Sequence, residues 1–593
     1  MKAQTNKLDY RIYHELINED YVIARVESSK KMKPSLLFLD SVLNNRKILS
    51  VCYSEFNEVL VLMEKDCEVI RELANTVSEY DELSFRKVLA QEVKDNLLIQ
   101  LFINSLARSA LSSFSYNNLS GHLYIVNDQN NALNKKQLVT LEIKIDKNCC
   151  LQVPVRTFTS KELERFIEFK KDKSFTTYPQ YELVNNRYLK RIPTPTKSSY
   201  ILRQTKNRKS EVKFLDFYSL EKFYKSKCGI IQNTMEQFSR RYKKYIDLRF
   251  SETPELTVIE HKSSATKIEK NKILKLFTET PVRIVDFVKS EGSAMLADKI
   301  EDSFSQGRYQ VKQSKYLKKG CFNICVIHEK ETYEEREDPH DRIEKVGANQ
   351  CVTIESFFES SRSNSADDFI NNIKNTIIHE LLIKKDLKEK RVSLYRWDVD
   401  NHDNPWTFIE KYQVGEDTRF CCMTIQPDGS FDFVDYDYNL FTVNEYTKYA
   451  NAFEEDKNTV GLIEDSNGNI NCIIDTNQFT IPDLNGIKTE LTVGNNKLRN
   501  KEMRESLLAP VIDINYFLND EGANYYVGTA QDMLKYTSRN SVPIRLVKPT
   551  LDSSLFFDKL LPLMNVMFVK NGQLTVIPFP FKYIREHLLN LMY

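Results

Sequence analysis

Hydrophobic residues recur at helical spacing in residues 94–113. The stripe contains Leu97, Leu98, Leu101, Phe102, Ile103, Leu106 and Leu111. Apolar residues three and four positions apart share one face of a helix, so the spacing predicts an amphipathic helix. Between about 120 and 160 the pattern changes to alternation with turn residues, which predicts a small antiparallel sheet. Residues 1–160 are therefore expected to form an N-terminal α+β domain.

Strands and helices alternate farther along the chain. Two nearly continuous apolar runs, 321–329 and 349–357, predict buried strands, and the charged residues between them favour a helix that Pro339 must interrupt or restart. A second helix is expected from Ser365, and residues 390–399 predict a third strand. This alternation is typical of a Rossmann-like parallel unit, whose ligands bind beyond the carboxyl ends of the strands. The expected fold class is therefore a multidomain α/β protein.

Composition predicts a globular protein without a membrane segment. The chain has 593 residues, is 41% hydrophobic and 28% charged, and contains 15 glycines, which predicts several packed domains. Eleven cysteines are scattered through apolar runs without a Cys-x-x-Cys pair, as expected of a reduced protein. No apolar run approaches the roughly 20 residues that span a bilayer, and the first residues lack a signal-peptide hydrophobic region. We therefore expect a cytoplasmic protein with no membrane partner.

Positive charge is concentrated between Arg187 and Arg249. This segment contains 17 basic and five acidic residues, although the whole chain has a formal net charge of +1. Aromatic residues are interleaved with the cations, and a nucleic-acid groove needs cations for phosphates and rings that stack on bases. The residues expected to contact a nucleic-acid backbone are Lys190, Arg191, Arg203, Arg208, Lys209, Arg240, Arg241, Lys243 and Lys244. The alternative is a solvated linker and helix face whose rings pack in a core.

Polar side chains in the parallel unit could bind a phosphate. Lys330 and Tyr333 follow the first strand, Gln350 opens the next strand, and Lys374 or Lys384 lies on the following helix. Ammonium, phenol and amide groups that converge near a helix N-terminus are suited to a phosphate. The sequence thus predicts an anion site in this unit.

Two stretches resemble Argonaute proteins. The segments ICVIHEKETY, NQCV and NIKNTIIHELLIKKD, in this order, resemble the MID domain of that family. Near the C-terminus, SVPIRLVKP and QLTVIPFPFKYIREHL are similar to the end of a PIWI domain. The resemblance implies a MID-like domain at 280–390 and a PIWI-like domain of RNase H-like fold at 391–593. It leaves 161–279 as a basic linker region and implies that a PAZ domain is lacking.

The resemblance also implies a guide-binding pocket. In Argonaute proteins a tyrosine, two lysines and a glutamine hold the 5′ phosphate of a guide strand. By resemblance these roles fall to Tyr333, Gln350, Lys374 or Lys384, and Lys330. Lys330 is a substitute, because Glu337 stands where the family has a lysine one helical turn beyond the tyrosine. A Mg²⁺ ion at the guide phosphate is the implied cofactor.

The expected function is guided binding without cleavage. The chain would pair a short guide with a complementary DNA or RNA target in prokaryotic defence, together with a separate effector protein. The acidic residues that hold metal ions in PIWI domains are not recognisable, because no carboxylate occupies the interior of the apolar strand at 421–425. Asp432, Asp435 and Asp475 are the remaining candidates for a metal ligand, and turn or surface positions are the simpler explanation for them.

The sequence is also compatible with two other functions. Asp128, Glu142 and Lys144 imitate the carboxylate and lysine set of a metal-dependent nuclease, although charged outward positions are ordinary on an antiparallel strand. Alternatively, the chain is a non-catalytic scaffold whose basic segment binds an acidic protein.

Histidines and cysteines give no clear site in the sequence. Cys321 and Cys325 would share one strand face and His328 the other, so core packing is a better explanation than zinc binding. His122 and His587 have no neighbour in the sequence that indicates catalysis.

Overall fold

The structure, a computed structural model, is a mixed α/β protein with several sheets. It describes residues 1–29, 47–55, 58–108, 121–126, 137–160, 180–184, 188–192, 199–202, 212–259, 273–329, 332–333, 338–344, 346–361, 366–393, 397, 404–494, 498, 500–529, 536–538, 541–548, 561–564 and 577–592. Within these ranges, no helix combines the length and the apolar composition needed to cross a membrane.

The N-terminal region contains two antiparallel sheets. Its elements are β1 (Gln4–Ile12), α1 (His14–Asp20), β2 (Tyr21–Ser28), β3 (Ile48–Glu55), β4 (Glu58–Glu64), α2 (Cys67–Ser78), β5 (Leu83–Val88), α3 (Asp95–Asn104), β6 (Leu123–Val126), β7 (Gln137–Ile145), β8 (Leu151–Gln152), β9 (Val155–Ser160), β10 (Gln180–Val184), β11 (Tyr188–Ile192) and β12 (Tyr200–Leu202). One sheet has the order β3-β4-β2-β5, and the other has the order β11-β10-β12-β9-β7-β6 with β8 beside β7.

Both elements predicted in this region are present. The helix expected from residue 94 begins at Asp95 and buries Leu98, Leu101 and Phe102. Its predicted continuation from residue 109 lies outside the described residues. The antiparallel sheet expected between about 120 and 160 is confirmed by the pairing of β7 with β6 and β9.

Two helices lie in the basic segment. The elements here are β13 (Leu215–Asp216), α4 (Leu220–Tyr224), α5 (Lys227–Tyr242), β14 (Ile246–Glu252) and β15 (Thr257–Ile259). Ser226 caps α5 by accepting a hydrogen bond from the Gly229 N–H at 3.2 Å. A Cβ atom at Gly229 would lie 1.9 Å from the Phe223 carbonyl oxygen, so only glycine allows α4 and α5 to approach this closely.

A four-stranded parallel sheet follows. Its elements are β16 (Val282–Asp286), α6 (Glu291–Gln306), β17 (Val311–Gln313), β18 (Phe322–Ile327), α7 (His340–Glu344), β19 (Asn349–Thr353), α8 (Ile354–Ser361) and α9 (Ala366–Glu389). The order is β17-β16-β18-β19, and every pairing is parallel. The parallel strand predicted at 321–329 is confirmed by β18, and the one predicted at 349–357 is confirmed only up to Thr353, because helix α8 begins at Ile354. Helix α7 starts directly after Pro339, as the position of that residue favours.

The predicted third strand at 390–399 is wrong where the structure describes it. Helix α9 continues to Glu389, and Arg391 forms only an isolated bridge to Ser430. Good helix formers such as Leu387 and Lys388 extend the helix up to the start of the predicted strand. The sheet takes its remaining strands, β16 and β17, from residues before the predicted unit instead.

The C-terminal region is built on a large antiparallel sheet. Its elements are β20 (Trp406–Val414), β21 (Asp417–Ile425), β22 (Phe431–Tyr436), α10 (Val443–Glu455), β23 (Thr459–Glu464), β24 (Ile470–Ile481), α11 (Leu484–Val493), α12 (Lys501–Leu508), β25 (Ile514–Asn519), β26 (Gly522–Val527), β27 (Thr537–Ser538), β28 (Val542–Lys548) and α13 (Pro580–Met592). The order is β15-β25-β26-β28-β24-β23-β20-β21-β22, and β1 pairs with both β24 and β14. The apolar strand expected at 421–425 is confirmed as part of β21, which forms a hairpin with β22.

A buried carboxylate connects α9 to the last helix. Asp386 accepts hydrogen bonds from the Tyr583 hydroxyl at 2.6 Å and from the Ser393 N–H at 2.8 Å. Burial is the main cause that raises the pKa of Asp386 to about 6. A raised carboxyl pKa means that the folded protein holds the proton more tightly than the unfolded chain, so its stability falls as pH rises between about 4 and 6.

We predict that Asp386→Asn removes this pH dependence. Asparagine keeps an acceptor oxygen for Tyr583 and Ser393 and carries no charge to desolvate. As the pH rises from 4 to 7, the free energy of unfolding of the variant should increase by up to about 3 kcal/mol relative to that of the parent protein. A pKa shift of about two units corresponds to this free energy. Thermal melting at both pH values measures the difference in stability between the two proteins. The same difference at pH 4 and at pH 7 would contradict a raised pKa of Asp386.

Candidate phosphate site and nucleic-acid interface

Gln350 lies near the amino end of β19. It pairs in register with Ile324 of β18, and β19 runs from there toward Thr353. Side chains alternate across the sheet, so Ile324 and Val352 join the core on the side of α6 and α9, whereas Cys325 joins a smaller cluster on the other side. Gln350 shares the face of Val352 and is directed toward α9.

Lys384 of α9 reaches the start of this strand. Its Nζ donates to the Asn349 carbonyl oxygen at 2.7 Å and to Gln350 Oε1 at 3.3 Å. One turn later, the Lys388 Nζ lies 3.7 Å from the position that a Cβ at Gly347 would occupy. Gly347 has a φ of 148°, which L side chains rarely adopt. The loop before β19 is therefore bordered by two ammonium groups and one side-chain amide.

Buried asparagines fix the position of this loop. Asn323 donates to Asn349 Oδ1 at 2.8 Å, and Asn349 donates to the Ile343 carbonyl oxygen. Asn323 also accepts from the Lys318 N–H at 3.0 Å. Asn349 is therefore a structural residue that orders the start of β19. Sequence reasoning missed this role, because its partners are up to 26 residues away in the chain.

Tyr333 lies at the opposite end of the sheet from Gln350. Its hydroxyl accepts a hydrogen bond from the His328 N–H at 2.8 Å, just beyond the carboxyl end of β18. His328 is four residues beyond Ile324, the partner of Gln350, which is about 13 Å along a strand. His328 Nδ1 also lies 2.5 Å from Glu355 Oε1. Tyr333 and Gln350 therefore do not converge, and Lys330 lies outside the described residues.

Lys374 has a different place on α9. It is ten residues before Lys384, which corresponds to about 15 Å along a helix. Its Nζ donates to the Ser303 carbonyl oxygen near the end of α6 and lies 5.6 Å from the ring centroids of Phe304 and Tyr309. Burial lowers the pKa of Lys374. The structure therefore gives Lys374 a role at the carboxyl end of α6, where a cation complements the helix dipole.

Two of the cations that were predicted to contact a nucleic-acid backbone contact other residues of the protein instead. Arg241 donates to the Ser105 carbonyl oxygen at 3.1 Å, and Lys244 pairs with Asp20 at 3.0 Å. Arg240 and Lys243 are exposed, and their side chains form no ion pair with the part of the chain that the structure describes. The backbone of Lys190 and Arg191 lies in β11, but their side chains are not described, and Arg203, Arg208 and Lys209 lie outside the described residues.

Five of the ten interleaved rings in this segment are in the core. The rings with at most 1% exposure are Phe214, Phe217, Phe223, Phe238 and Tyr242. The expectation that these five rings stack on bases is wrong, and the alternative of core packing is confirmed for them. A helical stripe places rings inward and cations outward, which composition alone does not distinguish from a binding groove.

No protein-family model matches this chain, and no curated protein matches its sequence. The Argonaute-like assignment thus rests on the residues quoted above and stays a proposal.

The Mg²⁺ ion implied by the resemblance does not fit the Gln350 site. The oxygens of Asn349 and Gln350 already accept hydrogen bonds from the Lys384 ammonium, whereas Mg²⁺ requires an octahedron of oxygen ligands. Glu380, one turn before Lys384, is 3.2 Å from Lys582. We therefore give Mg²⁺ no role at this site.

The proposed nuclease residue Glu142 belongs to a buried ion cluster. Its carboxylate oxygens lie 2.7 Å from His122 Nδ1 and 2.6 Å from Arg156 Nε. Burial opposes ionisation, but the contacts with His122 and Arg156 prevail and lower the pKa of Glu142 to about 2. The expectation of a solvated position is wrong, because Glu142 is only 3% exposed. His122, to which sequence reasoning gave no role, is an ion-pair partner of Glu142. Lys144 is exposed, and Asp128 lies outside the described residues.

The acidic residues of the C-terminal sheet also have partners. Asp432 pairs with Lys390 at 2.5 Å, and Asp475 lies 3.0 Å from Arg545. Asp435 accepts a hydrogen bond from the Tyr412 hydroxyl at 3.1 Å.

We predict that Glu142→Gln lowers stability without affecting oligonucleotide chemistry. Loss of the charge leaves Arg156 and His122 without their shared anion, which should cost about 2 kcal/mol because Arg156 is partly exposed. Thermal melting at neutral pH measures the loss. Glu182→Gln, which changes an exposed carboxylate in the same sheet, is the matched control and should leave the melting temperature unchanged. Normal stability together with lost metal-dependent cleavage would instead identify Glu142 as a nuclease residue.

Proposed function

We propose that the protein is an Argonaute-like guide-binding protein in which Gln350 and Lys384 bind the 5′ phosphate of a short guide. The observation that carries the proposal is the contact of the Lys384 ammonium with Gln350 Oε1 and the Asn349 carbonyl oxygen. Two residues assigned to one phosphate by resemblance are thus brought together from positions 34 residues apart.

The chemistry of this pair suits a phosphate. Lys384 uses two of its three N–H donors on protein oxygens, which leaves one donor for a ligand. Among the described residues, the Gln350 amide N–H group has only a long contact of 3.5 Å to the Cys351 carbonyl oxygen, so it too can donate outward. Lys388 adds a second ammonium near Gly347. Charge-assisted hydrogen bonds to phosphate are roughly twice as strong as neutral ones.

The proposed pocket is smaller than the resemblance implies. Tyr333 and Lys374 are placed elsewhere by their contacts with His328 and Ser303, so the proposal assigns them no phosphate contact. Arg240 and Lys243 support a second, sequence-independent contact with the nucleic-acid backbone, because both are exposed cations at the end of α5.

The ion pairs of the candidate metal ligands favour guide binding without cleavage. Two-metal hydrolysis needs carboxylates that hold ions about 4 Å apart. Asp432 and Asp475, two of the candidate metal ligands, form ion pairs with Lys390 and Arg545. The proposal therefore includes a complementary DNA or RNA target, a separate effector protein in prokaryotic defence, and a cytoplasmic location.

We predict that Gln350→Ala with Lys384→Ala removes the preference for a 5′ phosphate. The parent protein should bind 5′-phosphorylated oligonucleotides more tightly than 5′-hydroxyl ones. In the double variant, the ratio of the affinities for 5′-phosphorylated and 5′-hydroxyl oligonucleotides should fall at least about tenfold. A charge-assisted hydrogen bond contributes about 1.5–3 kcal/mol. Fluorescence anisotropy with labelled RNA and DNA of equal length measures both affinities.

Lys385→Ala provides the matched control. Lys385 is the next residue on α9 and pairs with Glu389 at 2.5 Å, so its loss removes an equal charge without touching Gln350. The control should keep the phosphate preference. Equal preference in all three proteins would contradict the proposed site, and no oligonucleotide binding by the parent protein would favour the scaffold function.

A further inference from the structure

Three potential metal ligands meet on one face of the C-terminal sheet. Cys421 of β21 and Asp435 of β22 are directly opposite each other in register. His587 of α13 lies over this pair, and one ligand atom from each of the three residues lies within 4.8 Å of the others. Sequence reasoning gave His587 no role, and among the described residues this is the one group of its kind.

We propose that Cys421, Asp435 and His587 form a binding site for a divalent transition-metal ion, with Zn²⁺ as the preferred ion. A thiolate, an imidazole and a carboxylate are the ligand types that zinc takes in proteins. Ligand atoms around tetrahedral zinc lie about 3.3–3.6 Å apart. Because the three ligand atoms lie within 4.8 Å of one another, a contraction of at most about 1.5 Å brings them to these separations. The inference is independent of the proposed guide binding.

Neighbouring residues orient two of the three ligands. The His587 ring stacks on Phe433 with centroids 3.9 Å apart and an angle of 4° between the planes. The Tyr412 hydroxyl donates to Asp435 Oδ1, which leaves the second carboxylate oxygen for an ion. Contacts of this kind hold ligands in place around protein-bound metals. Glu410, opposite Cys421 on the other neighbouring strand, is held by Arg585 at 2.8 Å and is not counted as a ligand.

The three residues of the cluster differ in their exposure to solvent. Cys421 is fully buried, His587 is partly buried and Asp435 is exposed, so the ion would be reached from the Asp435 side. Three protein ligands leave the fourth tetrahedral position for water, as in zinc sites that are open to solvent. Binding would break the Cys421 S–H bond, form an S–metal bond and release the proton to solvent. The ion would fasten α13 to the edge of the large sheet.

Metal titration of the full-length protein tests this site. We expect one Zn²⁺ per chain after dialysis against trace zinc, and Co²⁺ as a probe should give a thiolate-to-cobalt charge-transfer band. Cys421→Ser should abolish the band, and Asp435→Asn and His587→Gln should each weaken zinc affinity at least about tenfold. Zinc should also raise the melting temperature of the parent protein.

Cys422→Ser is the matched control for thiol binding elsewhere. Cys422 is the next residue on β21, is equally buried and faces a different core with Tyr449. The control should keep the zinc stoichiometry and the cobalt band. If Cys421→Ser does not fold, the exposed substitution Asp435→Asn decides the question. Unchanged zinc affinity in Asp435→Asn, or no stoichiometric zinc in the parent protein, would overturn the proposal.

Discussion

The hydrogen bonds of Asn6 are the constraint on which the arrangement of the chain depends. This fully buried side chain donates to the Leu151 carbonyl oxygen at 3.1 Å and to the Asn477 carbonyl oxygen at 3.3 Å. It also accepts from the Phe479 N–H at 2.8 Å. This amide of β1, a strand of the large sheet, thus joins that sheet to the second N-terminal sheet. Because a buried amide without partners is costly, the packing of the two sheets against each other at this point satisfies Asn6.

Hydrophobic periodicity predicted the elements that bury one continuous face. The start of α3, the helix expected from Ser365 and the apolar strand at 421–425 follow from spacing. Periodicity failed where tertiary contacts decide the structure. The strand β17 has the polar sequence VKQ and owes its place to pairing with β16. After α9 ends at Glu389, the described residues 390–393 of the predicted strand form an isolated bridge and no strand.

The candidate phosphate site was only partly predictable, because it too depends on tertiary contacts. Sequence order showed that Gln350 opens a strand and that lysines lie on the next helix, but it did not give the helix rotation that selects Lys384 over Lys374. Tyr333 follows the carboxyl end of β18, whereas Gln350 lies near the amino end of β19, and the register of two parallel strands separates them. The cluster of Cys421, Asp435 and His587 depends on cross-strand register and on the docking of the last helix, neither of which the sequence reveals.

The most direct test of guide binding is to examine nucleic acid that remains bound to the purified protein. The protein is isolated from a plasmid-bearing host, bound nucleic acid is extracted, and its 5′ ends are characterised by phosphatase-dependent labelling and sequencing. Short species of uniform length with 5′ phosphates are the predicted result. Their persistence at equal abundance when Gln350 and Lys384 are both replaced by alanine, or their absence from the unmodified protein, would contradict the account.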